Sequence, residues 1–119
     1  MADATTTLEA LKNKVKKFTE DRDWQQFHNP KSLSMALASE VAELMDFFLW
    51  CENKESYDVL EERRQQVEDE VADIGILLLA FCVRHNIDLS KAIAHKQIEQ
   101  TAKYPIEKCK GRYTKYTEL

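Results

Sequence analysis

Two pairs of acidic residues carry the clearest chemical signal in the sequence, Glu40 with Glu43 and Glu70 with Asp73. The acids of each pair are three positions apart, which places both carboxylates on one face of a helix. At about 100° per residue, Glu40 falls within an apolar stripe of its helix and Glu70 flanks another. Such carboxylates are costly unless their charge is compensated. Mg²⁺ could compensate all four, and ion pairs with Lys or Arg of a neighbouring helix would explain the pattern equally well.

The histidines and cysteines do not form a competing metal site. A di-iron helical bundle needs Glu-x-x-His on two helices, and no Glu stands three residues before His28, His85 or His95. The HExxH and paired CxxC patterns of zinc sites are absent, and two glycines cannot build a Gly-rich phosphate loop. If the protein is an enzyme, we therefore expect its nucleophile to be a metal-activated water.

Aromatic residues lie on both sides of the first acidic pair. Trp24, Phe27 and His28 cluster before it, and Trp50 follows it. Each of these residues alone is most simply explained by packing in a core or at a helix end. Together they would suit the stacking of a nucleobase near a bound metal, because a base presents a flat π-face.

Four helices are needed to position these side chains, and hydrophobic periodicity predicts them at about residues 7–23, 32–51, 59–85 and 89–103. Residues 106–119 form a tail. The first acidic pair lies on the second helix and the other pair on the third, while Trp24–Pro30 breaks the period and is predicted to be a loop. Only 2 Gly and 2 Pro occur, too few for the turns of an all-β fold. The sequence predicts an all-α fold in a single domain over residues 1–119.

The stretch Ile74–Val83, within the third predicted helix, is apolar on every side. Such a helix has to be covered all round, and four helices of one chain can hardly surround it. We therefore expect a core that is shared with neighbouring subunits of a homo-oligomer. The stretch has ten residues, fewer than the roughly 20 that a bilayer requires.

Charge and targeting patterns limit the partners. The chain has 17 Lys and Arg against 21 Asp and Glu, a net charge of −4, so no global basic field exists to bind nucleic acid. Lys96, Lys103 and the basic tail could still neutralise the phosphates of a small ligand. Three scattered cysteines without CxxC are typical of reduced thiols, and the polar N-terminus has no signal-peptide pattern. We expect a cytoplasmic protein that binds neither nucleic acid nor membrane.

Four segments resemble the MazG-like all-α nucleoside triphosphate pyrophosphohydrolases, and within that family they are most similar to dCTP pyrophosphatases. These segments are RDWQQFHNPKSLSMALASEVAEL (Arg22–Leu44), FFLW (Phe47–Trp50), EDEVADI (Glu68–Ile74) and KYPIEKCKGRYTKYTEL (Lys103–Leu119). The E-x-x-E…E-x-x-D signature of the family falls on the two acidic pairs. Its combination with the D-W-x-x-F-H loop and the KYTEL ending is specific, and the resemblance covers nearly the whole chain.

The resemblance implies an α-helical subunit in a dimer of dimers, with Mg²⁺, or Mn²⁺ as a substitute, bound by Glu40, Glu43, Glu70 and Asp73. It implies that a nucleoside triphosphate is split between its α- and β-phosphates, giving the monophosphate and pyrophosphate. Glu43 is our choice, with Glu40 as the second candidate, for the catalytic base that accepts the proton of the attacking water. The residues implied to bind the substrate are Trp24, Phe27, His28, Trp50, Lys96, Lys103 and Tyr104.

Three positions depart from the family pattern. Leu77 stands where a Tyr is common, Gln100 replaces an Asn, and Val15 stands where vertebrate-like members carry a His. All four acids are kept, so these departures leave the predicted metal site intact. The resemblance implies dCTP as substrate, with dATP acceptance or a dUTP-type activity as alternatives. The competing class of protein is a non-catalytic helical oligomerisation module whose acids form salt bridges.

Overall fold

The structure, a computed structural model, describes all 119 residues, and every regular element in it is helical. Three short 3₁₀ turns, Gln25–Phe27, Asn53–Glu55 and Tyr116–Glu118, accompany the α-helices. The six α-helices are α1 (Leu8–Asp21), α2 (Pro30–Asp46), α3 (Ser56–Glu62), α4 (Arg64–Arg84), α5 (Leu89–Lys103) and α6 (Ile106–Cys109). The predicted all-α fold is confirmed. None of these helices combines the length and the apolar composition that a membrane span requires.

The chain forms two compact units, Met1–Asn86 and Ile87–Leu119. The first unit contains α1 to α4, and in it both α2 and α1 pack against α4. The contact between α2 and α4 is the most extensive between any two helices of the chain, and it positions the acidic residues. The buried apolar side chains of this unit are Leu33, Val67, Leu79, Ala80 and Cys82.

Helix α2 begins earlier than the periodicity predicts, at Pro30 rather than near residue 32. Asn29 caps the helix, since its side-chain oxygen accepts a hydrogen bond from the backbone N–H of Ser32 at 2.8 Å. Proline suits the first helical position, where a backbone N–H would have no partner within the helix. The proline that we expected to end a loop therefore starts the helix.

Helix α2 also ends earlier than predicted, at Asp46 instead of near residue 51. The apolar segment Phe47–Trp50 continues as turns. The N–H of Phe48 donates to the carbonyl of Met45 at 2.9 Å, and that of Cys51 donates to Phe48 at 3.4 Å. These bonds reach back three residues instead of four, which tightens the chain out of the α-helix. Trp50 consequently lies on a turn beyond the helix.

The third predicted helix is interrupted at Arg63, where φ is −118° and ψ is 27°. Helix α3 ends before this residue and α4 begins after it. No Gly or Pro marks the break, so the apolar period alone could not locate it. Helix α5 coincides with its predicted bounds, because the Asp88 side chain caps it through Lys91 N–H at 2.9 Å and Tyr104-Pro105 follows its end.

The apolar stretch Ile74–Val83 is only partly covered by this chain. Leu79, Ala80 and Cys82 are buried, whereas Ile76 and Leu78 remain 50% and 37% exposed. The exposed side chains lie on the helix that carries Glu70 and Asp73. That neighbouring subunits bury these side chains stays a prediction.

Candidate active site

Three of the four predicted metal ligands come together between α2 and α4. Carboxylate oxygens of Glu40, Glu43 and Glu70 all lie within 4.8 Å of one another, and we call these three residues the carboxylate cluster. Their spacing of one helical turn on α2 aims the first two side chains at the same neighbour. Glu40 and Glu70 are partly buried and Glu43 is exposed, so the cluster has one side open to water.

Two oxygens of the cluster lack a partner in the protein. Oε2 of Glu40 and Oε2 of Glu70 are inaccessible to solvent and accept no hydrogen bond. The arginine at the start of α4, Arg64, pairs with Glu61 and Glu68 instead of with the cluster. Inaccessible carboxylate oxygens without a donor are costly, and a bound cation would offset that cost.

The cluster also shifts the titration of its own members. Burial, followed by the nearby carboxylate of Glu43 and then that of Glu40, raises the pKa of Glu70 to about 7. Burial raises the pKa of Glu40 as well, and Glu43 and Asp73 add to that rise. Near neutral pH the cluster therefore either retains a proton or gains from a bound cation.

The donor set fits a hard divalent cation. All the oxygens belong to carboxylates, and no His or Cys joins the cluster, so Mg²⁺ and Mn²⁺ suit it better than zinc or copper. Asp73 lies one turn beyond Glu70 on α4 and outside the group of oxygens within 4.8 Å. Its negative charge nevertheless contributes to raising the pKa of Glu40. The structure thus gathers three of the predicted ligands and places the fourth on the same helix as Glu70.

The segment Trp24–His28, which we call the aromatic segment, follows α1 and contains a 3₁₀ turn. Asp23 adopts a positive φ of 54°, which turns the chain sharply at the start of the segment. The ring of Trp24 meets Phe18 edge-on, with 5.7 Å between ring centres, while Phe27 is 61% exposed. The segment therefore presents aromatic surface that this chain leaves largely open.

His28 closes the aromatic segment in a partly buried position. Burial and then the positive charge of Arg84 lower the pKa of its imidazole. A neutral imidazole is both a donor and an acceptor of hydrogen bonds, which suits it to the polar groups of a nucleoside. Sequence reasoning missed Arg84, because a basic residue in the last turn of a helix is commonly there for the helix dipole.

Trp50 is 93% exposed, on the turns that follow α2. It does not pack against the helix end, so the simplest structural explanation of this residue fails within one chain. A fully exposed indole is available to stack on a ligand or to bind a partner.

Lys96, Lys103 and Tyr104 belong to the second unit. Both lysines pair with Glu99, at 2.9 and 3.0 Å, and their hydrogen bonds lower the pKa of Glu99 to about 2. The ammonium of Lys103 also lies 4.7 Å from the ring centre of Tyr116, which meets Tyr104 edge-on. The tail thus orders the end of α5, and a role of these residues toward phosphate stays a prediction.

Comparisons with known proteins place most of the chain among similar sequences and folds. A sequence model of the MazG-like family matches residues 35–119, a range that includes both acidic pairs. The proteins named dCTP pyrophosphatase 1 from Rattus norvegicus and Homo sapiens are each 34% identical over 115 residues, which is 95% of this chain and 68% of theirs. The crystal structure of a pyrophosphatase from Archaeoglobus fulgidus is similar with a TM-score of 0.81 and 34% identity, covering 88% of this chain and 98% of that one.

Proposed function

This chain belongs to the MazG-like family, as its sequence predicted, and from that membership we propose that it is a nucleoside triphosphate pyrophosphohydrolase. In the proposed reaction the bond between the α- and β-phosphates is hydrolysed, and the products are the nucleoside monophosphate and pyrophosphate. One observation carries the proposal: a carboxylate cluster between two packed helices with two inaccessible, unpartnered oxygens. The curated dCTP pyrophosphatases and the archaeal pyrophosphatase support the same activity.

The carboxylate cluster, together with Asp73, would hold the divalent cation, Mg²⁺ in our proposal with Mn²⁺ as a substitute. A bound cation of this kind shields phosphate charge and lowers the pKa of water. The unpartnered oxygens of Glu40 and Glu70 are the ligand atoms that the protein leaves available. The oxygen-only donor set supports this assignment.

Glu43 is our proposed general base. It is the exposed member of the cluster, so water can reach its carboxylate while its neighbours stay partly buried. In the reaction, water oxygen bonds to the α-phosphorus, its proton passes to Glu43, and the bond from phosphorus to the bridging oxygen breaks as pyrophosphate leaves. Glu40 is the second candidate for this role.

We propose dCTP as the preferred substrate, with the base and sugar held by Trp24, Phe27, His28 and Trp50, and the phosphates by Lys96, Lys103 and Tyr104. The chain is 34% identical in sequence to two dCTP pyrophosphatases over 95% of its length, which supports this choice. Leu77, Gln100 and Val15 differ from the family pattern, so the proposal includes some acceptance of dATP.

We further propose that the chain assembles with copies of itself, as a dimer of dimers. The exposed apolar side chains on α4, Ile76 and Leu78 among them, support this proposal because water is a poor environment for them. Sedimentation at micromolar concentration should show a species larger than the 13.9 kDa chain. A stable, well-folded monomer would contradict the proposal.

The activity is tested by measuring pyrophosphate release from dCTP, dTTP, dUTP, dATP and CTP, with Mg²⁺ and with a chelator. We expect release with Mg²⁺ only, fastest from dCTP, and loss of release in Glu70→Gln. Glu68→Gln is the matched control, since Glu68 lies on the same helix but pairs with Arg64 on the surface. No release from any triphosphate with Mg²⁺ or Mn²⁺ would favour the non-catalytic module instead.

A further inference from the structure

A hydrogen bond joins the aromatic segment to the last residue of helix α4. The Nε of Arg84, the last residue of α4, donates a hydrogen bond to the backbone carbonyl of Gln25 at 3.1 Å. The two residues are 59 positions apart in the chain. Gln25 begins the 3₁₀ turn from which Phe27 and His28 project. The bond therefore ties the ligand-facing turn to the helix that carries Glu70.

The same carbonyl also holds the end of the turn. The backbone N–H of His28 donates to the oxygen of Gln25 at 3.1 Å, so this oxygen accepts one bond from inside the turn and one from Arg84. A carbonyl oxygen has two lone pairs, and both are used here. Removal of the guanidinium would leave the turn held only by short-range hydrogen bonds.

The remaining polar contacts of the segment are local. The N–H of Trp24 donates to the carbonyl of Thr19 at 3.0 Å, and the side chain of Gln26 donates to the backbone carbonyl of Asp23 at 2.9 Å and to its Oδ2 at 3.0 Å. These bonds attach the segment to the end of α1 and to itself. None of them reaches α4, whereas the hydrogen bond of Arg84 does.

Further polar atoms flank this junction without partners of their own. Oε1 of Gln25 and Nε2 of His85, the residue after Arg84, are inaccessible and form no hydrogen bond. A buried polar atom without a partner carries a desolvation cost, so these two atoms do not stabilise the segment as the Arg84 hydrogen bond does.

Arg84 acts on the aromatic segment through its charge as well as through its hydrogen bond. It adds to burial in lowering the pKa of His28, which favours the neutral form of that imidazole. A guanidinium is always protonated and donates in a fixed plane, so it supplies charge and geometry together. Lysine could supply the charge alone.

We propose that Arg84 is a positioning residue for nucleotide selection, which holds the Gln25 carbonyl and thereby fixes the turn that presents Phe27 and His28 to the nucleoside. The inference rests on the proposed function, because it assumes that the aromatic segment binds the base and sugar. It adds a residue of helix α4 that acts through the turn and does not itself touch the phosphates.

The test compares Arg84→Met with Arg64→Met by steady-state kinetics on dCTP, dATP, dUTP and dTTP. Methionine replaces the aliphatic part of the side chain and removes both the hydrogen bond and the charge. We expect Arg84→Met to raise the KM for dCTP about tenfold or more, to change kcat by less than about threefold, and to flatten the ratios among bases. Arg64 is an exposed arginine on the same helix, and Arg64→Met should leave all these values within about twofold of wild type.

Hydrogen exchange of the ligand-free chain supplies a second readout. The amide of His28 should exchange faster in Arg84→Met and at the wild-type rate in Arg64→Met. If Arg84→Met does not fold, Arg84→Lys takes its place, with the same direction of change in KM and a smaller factor.

The outcomes separate the inference from the proposed function. A wild-type protein that releases no pyrophosphate overturns the proposed function and, with it, the role in selection. An active Arg84→Met with unchanged KM, base ratios and His28 exchange overturns the positioning role alone. A fall in kcat and thermal stability without any change in KM or base ratios does so too, because that pattern describes a purely structural residue.

Discussion

The carboxylate cluster and the aromatic segment are held by the chain in different ways. The cluster lies on α2 and α4, whose mutual packing is the most extensive in the chain. Helical spacing places Glu40 and Glu43 on one face of α2. The aromatic segment lies on a turn between helices and is joined to α4 through Arg84. Chemistry at phosphorus depends on accurate positions, which paired helices provide, whereas selection of a base can be altered on a loop without disturbing the scaffold.

Arg84, which is bonded to the aromatic segment, also lies far along α4 from the acidic residues of that helix. Arg84 lies eleven residues beyond Asp73 on α4, which corresponds to about 16 Å along the helix axis. Substitutions that are this far apart and share no partner usually have additive effects. The comparison therefore predicts that changes in the cluster act on kcat, and that changes in the aromatic residues act on KM and on the ratios among bases.

The largest effect is expected for Glu43→Gln. Removal of the general base should lower kcat for dCTP by about 10²- to 10⁴-fold while the protein stays folded and assembled. Stopped assays of pyrophosphate release, circular dichroism and sedimentation measure these properties, and Glu68→Gln on α4 serves as the control. Near wild-type activity in both Glu43→Gln and Asp73→Asn would show that these acids do not form the active site.

The next largest effect is expected for Trp50→Ala. Stacking contributes roughly 1–3 kcal/mol per base, so the KM for dCTP should rise about tenfold to a hundredfold, with a smaller change in kcat. Trp50 is 93% exposed, so thermal stability should stay close to that of wild type. Tyr57→Ala, which removes another exposed aromatic ring, is the control. Unchanged rate ratios among dCTP, dTTP, dATP and CTP would show that this ring does not select the base.

Much of the scaffold could be predicted from local signals. Helix α5 has its predicted bounds, because an Asp cap and a proline mark its two ends. The acids of the cluster stand out in the sequence because Glu40 interrupts an apolar stripe, and the structure places it beside Glu43 and Glu70. Periodicity identifies such residues because helical geometry fixes which positions share a face.

The features that the sequence did not reveal depend on tertiary contacts. The break at Arg63 and the end of α2 at Asp46 occur without Gly or Pro, so local propensity gives no warning of them. In the sequence, Arg84 is an ordinary arginine in the last turn of a helix, and only the fold shows that it bonds to Gln25. A contact between residues 59 positions apart cannot be inferred from spacing.

A smaller effect is expected in the stability of the metal-free protein. The pKa of Glu70 is raised to about 7 when folded, from about 4.5 when unfolded, so the folded state binds more protons between these values. This contribution to stability is complete below pH 4.5 and is lost as the pH rises through 7. Thermal unfolding with a chelator should therefore give a melting temperature that falls between pH 5 and 8.

Two controls assign that pH dependence to the cluster. Glu70→Gln should flatten it, since the amide does not titrate, and Glu68→Gln should leave it unchanged. Mg²⁺ should oppose the fall, because the cation binds the deprotonated carboxylates and stabilises the folded state most at the higher pH. A melting temperature that rises from pH 5 to 8 without metal, equally in wild type and Glu70→Gln, would contradict the coupling within the cluster.

The smallest effect is expected at Asn29, which stands between the two regions. Its side chain caps α2 through Ser32 N–H at 2.8 Å, directly after the aromatic segment and at the start of the helix that carries Glu40. Loss of such a cap in Asn29→Ala costs about 1 kcal/mol, which should lower the melting temperature by about 4 °C at a fixed protein concentration. Because packing against α4 holds the rest of α2, kcat and the base ratios should stay at wild-type values, as they should in the control Ser34→Ala. A change in both kcat and the base ratios would mean that the cap couples the aromatic segment to the carboxylate cluster, and the two regions would then have to be treated as one.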